Sequence, residues 1–160
     1  MITLLCVGRP RGALEVAIRD YEGRIPYYWK FEAIEVEAGG GGRGGSSADP
    51  EAVMAAEGTR LLGRVPPGAD LWILSRDGTP LDSPGLARAL ANRALHSAPP
   101  LVLAIGGAFG FHASVVQRAS RKLTLSAMTL PHEMARLIVA EQLYRAGTIL
   151  RNEPYHKGPR

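Results

Sequence analysis

The sequence predicts an α/β fold, a mainly parallel sheet flanked by helices on both faces. Three observations predict it. Five short apolar runs alternate with five stretches of helical spacing, the order that successive βαβ units produce. The runs are apolar almost without interruption, as parallel strands covered on both faces are. No period of 20–50 residues repeats, which excludes a solenoid. The 160 residues, 46% of them apolar, suffice for one domain spanning 1–160 with a sizeable core.

The first run, "ITLLCV" (2–7), reads as a buried strand and makes Cys6 a core thiol, since one cysteine forms no intrachain disulfide. "ALEVAIRDYEGRI" then sets Leu14, Ile18, Tyr21 and Ile25 three and four residues apart, a helical stripe. "KFEAIEVEA" alternates apolar residues with acids and predicts a strand with one wetter face. A glycine-rich loop at 39–48 leads to Asp49-Pro50. There a capping side chain and a first-turn proline open a helix to about Leu62. "ADLWILS" is the third strand and "RDGTP" the turn that ends it. Ser83-Pro84 repeats the cap signal and starts a helix with Leu86, Leu90 and Ala94 on one face. "PLVLAIGG" supplies the fourth strand, "HASVVQRAS" a short helix, and "KLTLSA" the fifth strand.

The last helix, 131–147, starts without a cap. Leu130 occupies the cap position before Pro131 and accepts no hydrogen bond, so the turn at 128–132 predicts unpaired N–H donors. Met134, Leu137, Ile138, Val139, Leu143 and Tyr144 point nearly all round this helix. A helix apolar on every side is buried on every side, which predicts a subunit interface, most simply a two-fold dimer. Glu141 and Arg145 lie four apart and pair, a geometry that serves a structural ion pair as readily as catalysis.

The chain carries +4 at neutral pH. Its cations cluster: Arg118, Arg121 and Lys122 in one group, then Arg145, Arg151, Lys157 and Arg160 against Glu153 alone. Such clusters suit polyanions, though basic surfaces also serve solubility. No segment is long and apolar enough to span a bilayer, and the N-terminus lacks a signal-peptide pattern, so the expectation is a cytoplasmic protein. His96, His112, His132 and His156 show no ligand spacing, so no metal is expected.

Ligands of open parallel sheets bind at the carboxyl ends of the strands. Those ends are Gly8, Ser75-Arg76, Gly106-Gly107 and Ala127–Pro131. Gly39, Gly41 and Gly44 match G-x-G-x-x-G formally. The following helix, however, opens several residues late behind an acidic cap, which reads as a surface loop with Arg43 facing RNA. In "AIGGAFGF" the paired glycines end a strand and admit either a close ligand or a tight turn. The ending "NEPYHKGPR" places Tyr155, able to stack on a base, beside His156, able to move a proton near neutrality. Terminal residues also fray by default.

The segment "LSAMTLPHEMARLIVAEQLYRAGTILRNEPYHKG", with "LAIGGAFG" and the start "ITLLCVGRP", resembles the large-subunit rRNA pseudouridine N3-methyltransferases, minimal members of the SPOUT (trefoil-knotted) methyltransferases. The resemblance spans the chain. It is most specific in S-A-x-T-L-P-H and in L-Y-R-A followed by N-x-P-Y-H. It implies a C-terminal trefoil knot, S-adenosyl-L-methionine as donor, and a homodimer with active sites at the subunit interface. The implied acceptor is N3 of a pseudouridine in 23S rRNA of assembled ribosomes. Carried over residue by residue, the cofactor contacts fall on Leu74, Gly107, Ser126, Ala127, Met128, Thr129, Leu130 and Pro131. The donors left over at the uncapped turn are then expected to serve the cofactor.

For the chemistry, His156 is the expected base, Tyr155 the stacking or orienting group, and Arg145 the partner of a developing oxyanion. This chain has Ala108-Phe109 where the family usually has Pro-Glu, and a longer, less lysine-rich glycine loop. The rival readings are a non-catalytic ribosome-binding factor and a nucleotide-binding regulator.

Overall fold

The chain runs β1 (Ile2–Val7), α1 (Ala13–Arg24), a 3-10 turn (Ile25–Tyr27), β2 (Phe31–Val36), α2 (Pro50–Leu62) and β3 (Asp70–Pro80). It continues with α3 (Ser83–Leu95), β4 (Leu101–Ile105), α4 (Ala113–Arg118), β5 (Arg121–Thr124) and α5 (His132–Leu150). The computed structural model describes residues 1–39 and 49–157. All five strands pair in parallel, in the order β2-β1-β4-β3-β5.

The continuous apolar runs have a simple cause. Along β1, Ile2, Leu4 and Cys6 face a core shared with Ala87 and Leu90 of α3 and Val139, Ala140 and Leu143 of α5. Leu5 and Val7 face the other core, with Leu61 of α2 and Val115 of α4. β4 divides the same way, Leu101, Leu103 and Ile105 against Val102 and Ala104. Successive strand side chains alternate faces, so a strand covered twice must be apolar at every position. Cys6 is buried, and burial pushes its thiol up to about 12.

Four local expectations are corrected. "RDGTP" is not a terminating turn, because β3 continues to Pro80. The ladder with β5 pairs Leu74 with Leu123, skips, and then pairs Thr79 with the same Leu123. The intervening residues bulge out, and Gly78 lets the chain return, since a Cβ there would lie 2.3 Å from the Leu123 carbonyl carbon. Asp82, not Ser83, caps α3, its Oδ1 accepting the Gly85 N–H at 2.6 Å. Ser83 donates instead to Gln142 Oε1. The cap position of α5 is Pro131, not Leu130, and the helix runs on to Leu150. Finally, the tail is not wholly solvent-exposed, because Tyr155 is half-buried in a cluster of tyrosines.

No side chain caps α5, so something else must hold its start. Arg136, 2% exposed, does so. Its Nε and Nη2 donate to both oxygens of Glu22 on α1, at 2.7 and 3.1 Å, and its Nη1 to Glu35 Oε1 on β2 at 2.8 Å. Arg19 adds bonds to Glu22 at 3.3 Å and Glu35 at 2.9 Å. Burial alone would raise the Glu35 carboxyl. The bonds from Arg136 and Arg19 prevail and hold it below its ordinary value.

Arg136→Met is expected to destabilise the protein by about 3–5 kcal/mol in urea titration, because it strands two carboxylates. The Glu35 contribution is present above its ordinary value of 4.5 and is lost as pH falls through the lowered one. Stability should therefore drop on acidification through this range, and drop less in Glu35→Gln.

Candidate active site

Two groups of the anticipated residues converge, at opposite ends of α5. At its N-terminal end, Leu74, Ser126, Met128 and Leu130 line one cavity of about 90 Å³ together with Arg76 and Ala135. Leu74, Thr124 and Leu125 also form a wall of a second, mainly apolar cavity of about 370 Å³, which runs beneath α3 and α5 past Leu103, Ile138 and Gln142. Together these give a space of the size that small-ligand sites occupy. Ala127, Met128, Thr129 and Pro131 are exposed, while Ser126 and Leu130 are half-buried. Arg76 Nη1 donates to Thr129 Oγ1 at 3.2 Å, fastening the segment to the bulge of β3.

The expectation of free donors in this turn is partly overturned. The Met128 N–H bonds to Ser126 Oγ at 3.0 Å, so Ser126 does locally what a cap would have done. Gly107 is not brought into this group. It stands just beyond β4 but lines neither cavity. A Cβ there would come within 2.5 Å of Glu57 Oε2 on α2, so the carboxylate would have to move to admit a side chain.

At the C-terminal end, Arg145, Tyr155 and His156 meet around Glu141. Glu141 Oε1 accepts from Arg145 Nε at 2.9 Å, Arg145 Nη2 at 2.6 Å and the Tyr155 hydroxyl at 3.0 Å. Its Oε2 accepts from Gln142 Nε2 at 2.6 Å. The Arg145 guanidinium lies 4.8 Å from the Tyr155 ring centroid, and its Nη1 is 3.4 Å from His156 Nδ1. The Tyr155 hydroxyl also meets that of Tyr21 at 3.1 Å, and its ring packs edge-on against Tyr144 at 4.8 Å. Burial, then the bonds to Tyr21 and Glu141, push the Tyr155 phenol well above its usual value. Tyr155 is therefore a neutral donor at any physiological pH. The bond to Glu141 raises Arg145, which stays cationic.

The Pro131–Arg145 stretch of α5 rises roughly 20 Å at the helical increment of about 1.5 Å per residue. The two groups of one chain therefore lie roughly that far apart along the helix axis.

A family model described as "Predicted SPOUT methyltransferase" matches residues 1–156. The chain belongs to the SPOUT methyltransferase family. Proteins named "Ribosomal RNA large subunit methyltransferase H" are similar to it over nearly their whole length. The one from Gemmatimonas aurantiaca is 45% identical over 157 residues, covering 98% of this chain and 99% of the relative. Those from Syntrophotalea carbinolica and Pelobacter propionicus are 42% and 41% identical over 156 residues, covering 97% of this chain and 97% and 98% of theirs.

In this SPOUT chain sequence reasoning foresaw the Glu141–Arg145 pair but not that Glu141 gathers the tail. It named Arg76 as a strand end but missed Tyr21 and Glu57, which come from distant elements. The only signal was acidic or aromatic residues on otherwise apolar helix faces. Arg43 and Arg160 lie outside the described residues. Among the described residues no group of His, Cys, Asp or Glu is arranged to hold a metal ion, and no helix is long and apolar enough to cross a membrane.

Glu141→Gln keeps the shape but removes the charge shared by Arg145 and Tyr155. It is expected to cost about 1–3 kcal/mol and to raise amide exchange across residues 153–157, read by hydrogen-exchange mass spectrometry.

Proposed function

We propose that the chain methylates large-subunit ribosomal RNA with S-adenosyl-L-methionine, at N3 of a pseudouridine in 23S rRNA, in a site shared by two copies of the chain. The observation that carries this reading is the separation along α5. The residues suited to the cofactor and those suited to acid–base work are each well assembled, yet lie roughly 20 Å apart in one chain. A two-fold dimer that sets the tail of one copy against the 126–131 segment of the other makes a single site. The open face of α5 supports this, since Met134 is 37% exposed and Ile138 only half-buried.

The residues present fit the donor. Leu74, Leu130 and Met128 offer apolar contact for a flat heterocycle, and Ser126, Ala127, Thr129 and Pro131 offer main-chain and hydroxyl groups beside it. Gly107 shapes the neighbouring turn. When bound, the cofactor supplies an activated methyl group on a sulfonium. The chain's own task is to align the acceptor nitrogen with it and remove the N3 proton. His156 takes that proton, Tyr155 holds the base by its ring or its neutral hydroxyl, and Arg145 balances negative charge growing on a ring carbonyl. Arg118, Arg121, Lys122, Arg151 and Lys157 supply phosphate contacts. The chain reads its target from the shape of the assembled ribosome, and the reading includes a cytoplasmic location. The trefoil knot belongs to the same reading, and the bulge at 75–78 is compatible with a threaded chain.

Isothermal calorimetry should show binding of S-adenosylmethionine and S-adenosylhomocysteine but not ATP, and light scattering should show a dimer at micromolar concentration. A monomer that binds neither would overturn the proposal. His156→Ala should lower single-turnover methylation of ribosomes by about 10²–10⁴-fold near neutral pH, with the defect shrinking as pH rises and N3 ionises unaided. A defect independent of pH would leave His156 a positioning role.

A further inference from the structure

Glu57 is 3% exposed, a rare place for a carboxylate. Its Oε1 accepts the Gly39 N–H at 2.7 Å, just past the end of β2. Its Oε2 is the one buried side-chain polar atom among the described residues with no hydrogen-bond partner. A buried carboxylate oxygen left in that state is costly and calls for a donor.

The turn that follows β4 lies beside that oxygen. Glu57 lies against Gly107, for an ideal Cβ there would sit 2.5 Å from Oε2 and 2.8 Å from Oε1. The carboxylate thus presses on the Cα of the turn that follows β4. That turn is closed by the Gly110 N–H bonding to Gly107 O at 3.1 Å, with Gly110 at φ +87. One helical turn along α2, Arg60 Nη1 donates to the carbonyls of Glu37 at 3.0 Å and Gly39 at 2.6 Å. So α2 grips Gly39 by its N–H and its carbonyl, and aims its unpaired oxygen at the Gly107–Gly110 turn.

We propose that Glu57 is a positioning residue: it fixes Gly39 with one oxygen and takes a main-chain N–H of the Gly107–Gly110 turn with the other. The two loops at the carboxyl edge of β2 and β4 then move as one body. A small shift of the turn suffices, because the carboxylate already touches its first residue. Seating the turn on Glu57 orders the edge where the cofactor binds. That last step rests on the reading given under Proposed function.

Hydrogen exchange followed by mass spectrometry tests both parts on the full-length protein. In the free protein, Glu57→Ala should raise exchange in peptides covering 31–39 and 104–112 together. Glu57→Gln keeps an acceptor for Gly39 but turns an amide donor toward the turn, so it should raise exchange at 104–112 alone. With S-adenosylhomocysteine, Glu57→Gln should bind about tenfold more weakly than wild type and lose the ligand's protection of 104–112. Exchange rising only at 31–39 in Glu57→Ala, or wild-type affinity and protection in Glu57→Gln, would overturn the proposal. Wild-type protein that binds no S-adenosylhomocysteine would instead remove the cofactor reading, while the exchange in the free protein still decides the coupling.

Discussion

The buried contact of Arg136 with Glu22 and Glu35 is the constraint on which the rest depends. α5 carries both halves of the proposed site, one before its first turn and one around its last. It begins without a side-chain cap, so neither its register nor its direction is set locally. Two carboxylates from α1 and β2 set them, by bonds to a planar fork that has few alternative geometries. Replacing this network with apolar side chains need not weaken the fold, since desolvating three charges is costly. It would remove the register, and with it the placement of residues 126–131.

At the other end of α5 the restraint is made from aromatic rings and one carboxylate. Tyr144 packs against Tyr21, Tyr28 and Tyr155, and Tyr28 hydrogen-bonds to Glu153. Burial and that bond push the Tyr28 phenol up to about 12. A tail that by position should fray is therefore docked in the free chain, with Tyr155 and Arg145 already oriented by Glu141. Preorganisation of this kind would lower the cost of ordering the proposed catalytic groups around an acceptor.

The architecture was legible because each strand is covered twice, which leaves uninterrupted apolar runs such as "ITLLCV" and "LVLAI". The helix starts were legible where the cap is chemical, as at Asp49, and misread where two candidates adjoin, as at Asp82 and Ser83. "RDGTP" misled because turn residues inside a strand also mark a bulge. Of the site, Arg145, Tyr155 and His156 were found together, and so were Leu74, Ser126, Met128 and Leu130. Gly107 was singled out for contact with a ligand, whereas the structure gives it a carboxylate neighbour from α2. Nothing local in the sequence announces a contact between residues 57 and 107, because tertiary proximity leaves no period or spacing. Ala108 and Phe109 in that turn are exposed, and Gly110 takes a positive φ.

The claim that joins these parts is that one functional site takes its cofactor segment from one copy and its tail from the other. Mixing two inactive variants tests it most directly. Ser126→Tyr fills the cofactor cavity but keeps the tail, whereas Tyr155→Ala/His156→Ala removes the tail groups but keeps the cavity. After the two proteins are unfolded together and refolded in equal amounts, mixed dimers carry one complete site each. Methylation of ribosomes should then return to about a quarter of the wild-type rate. A mixture as inactive as either parent, with mixed dimers shown to be present, would place both halves of the site on one chain and contradict the account.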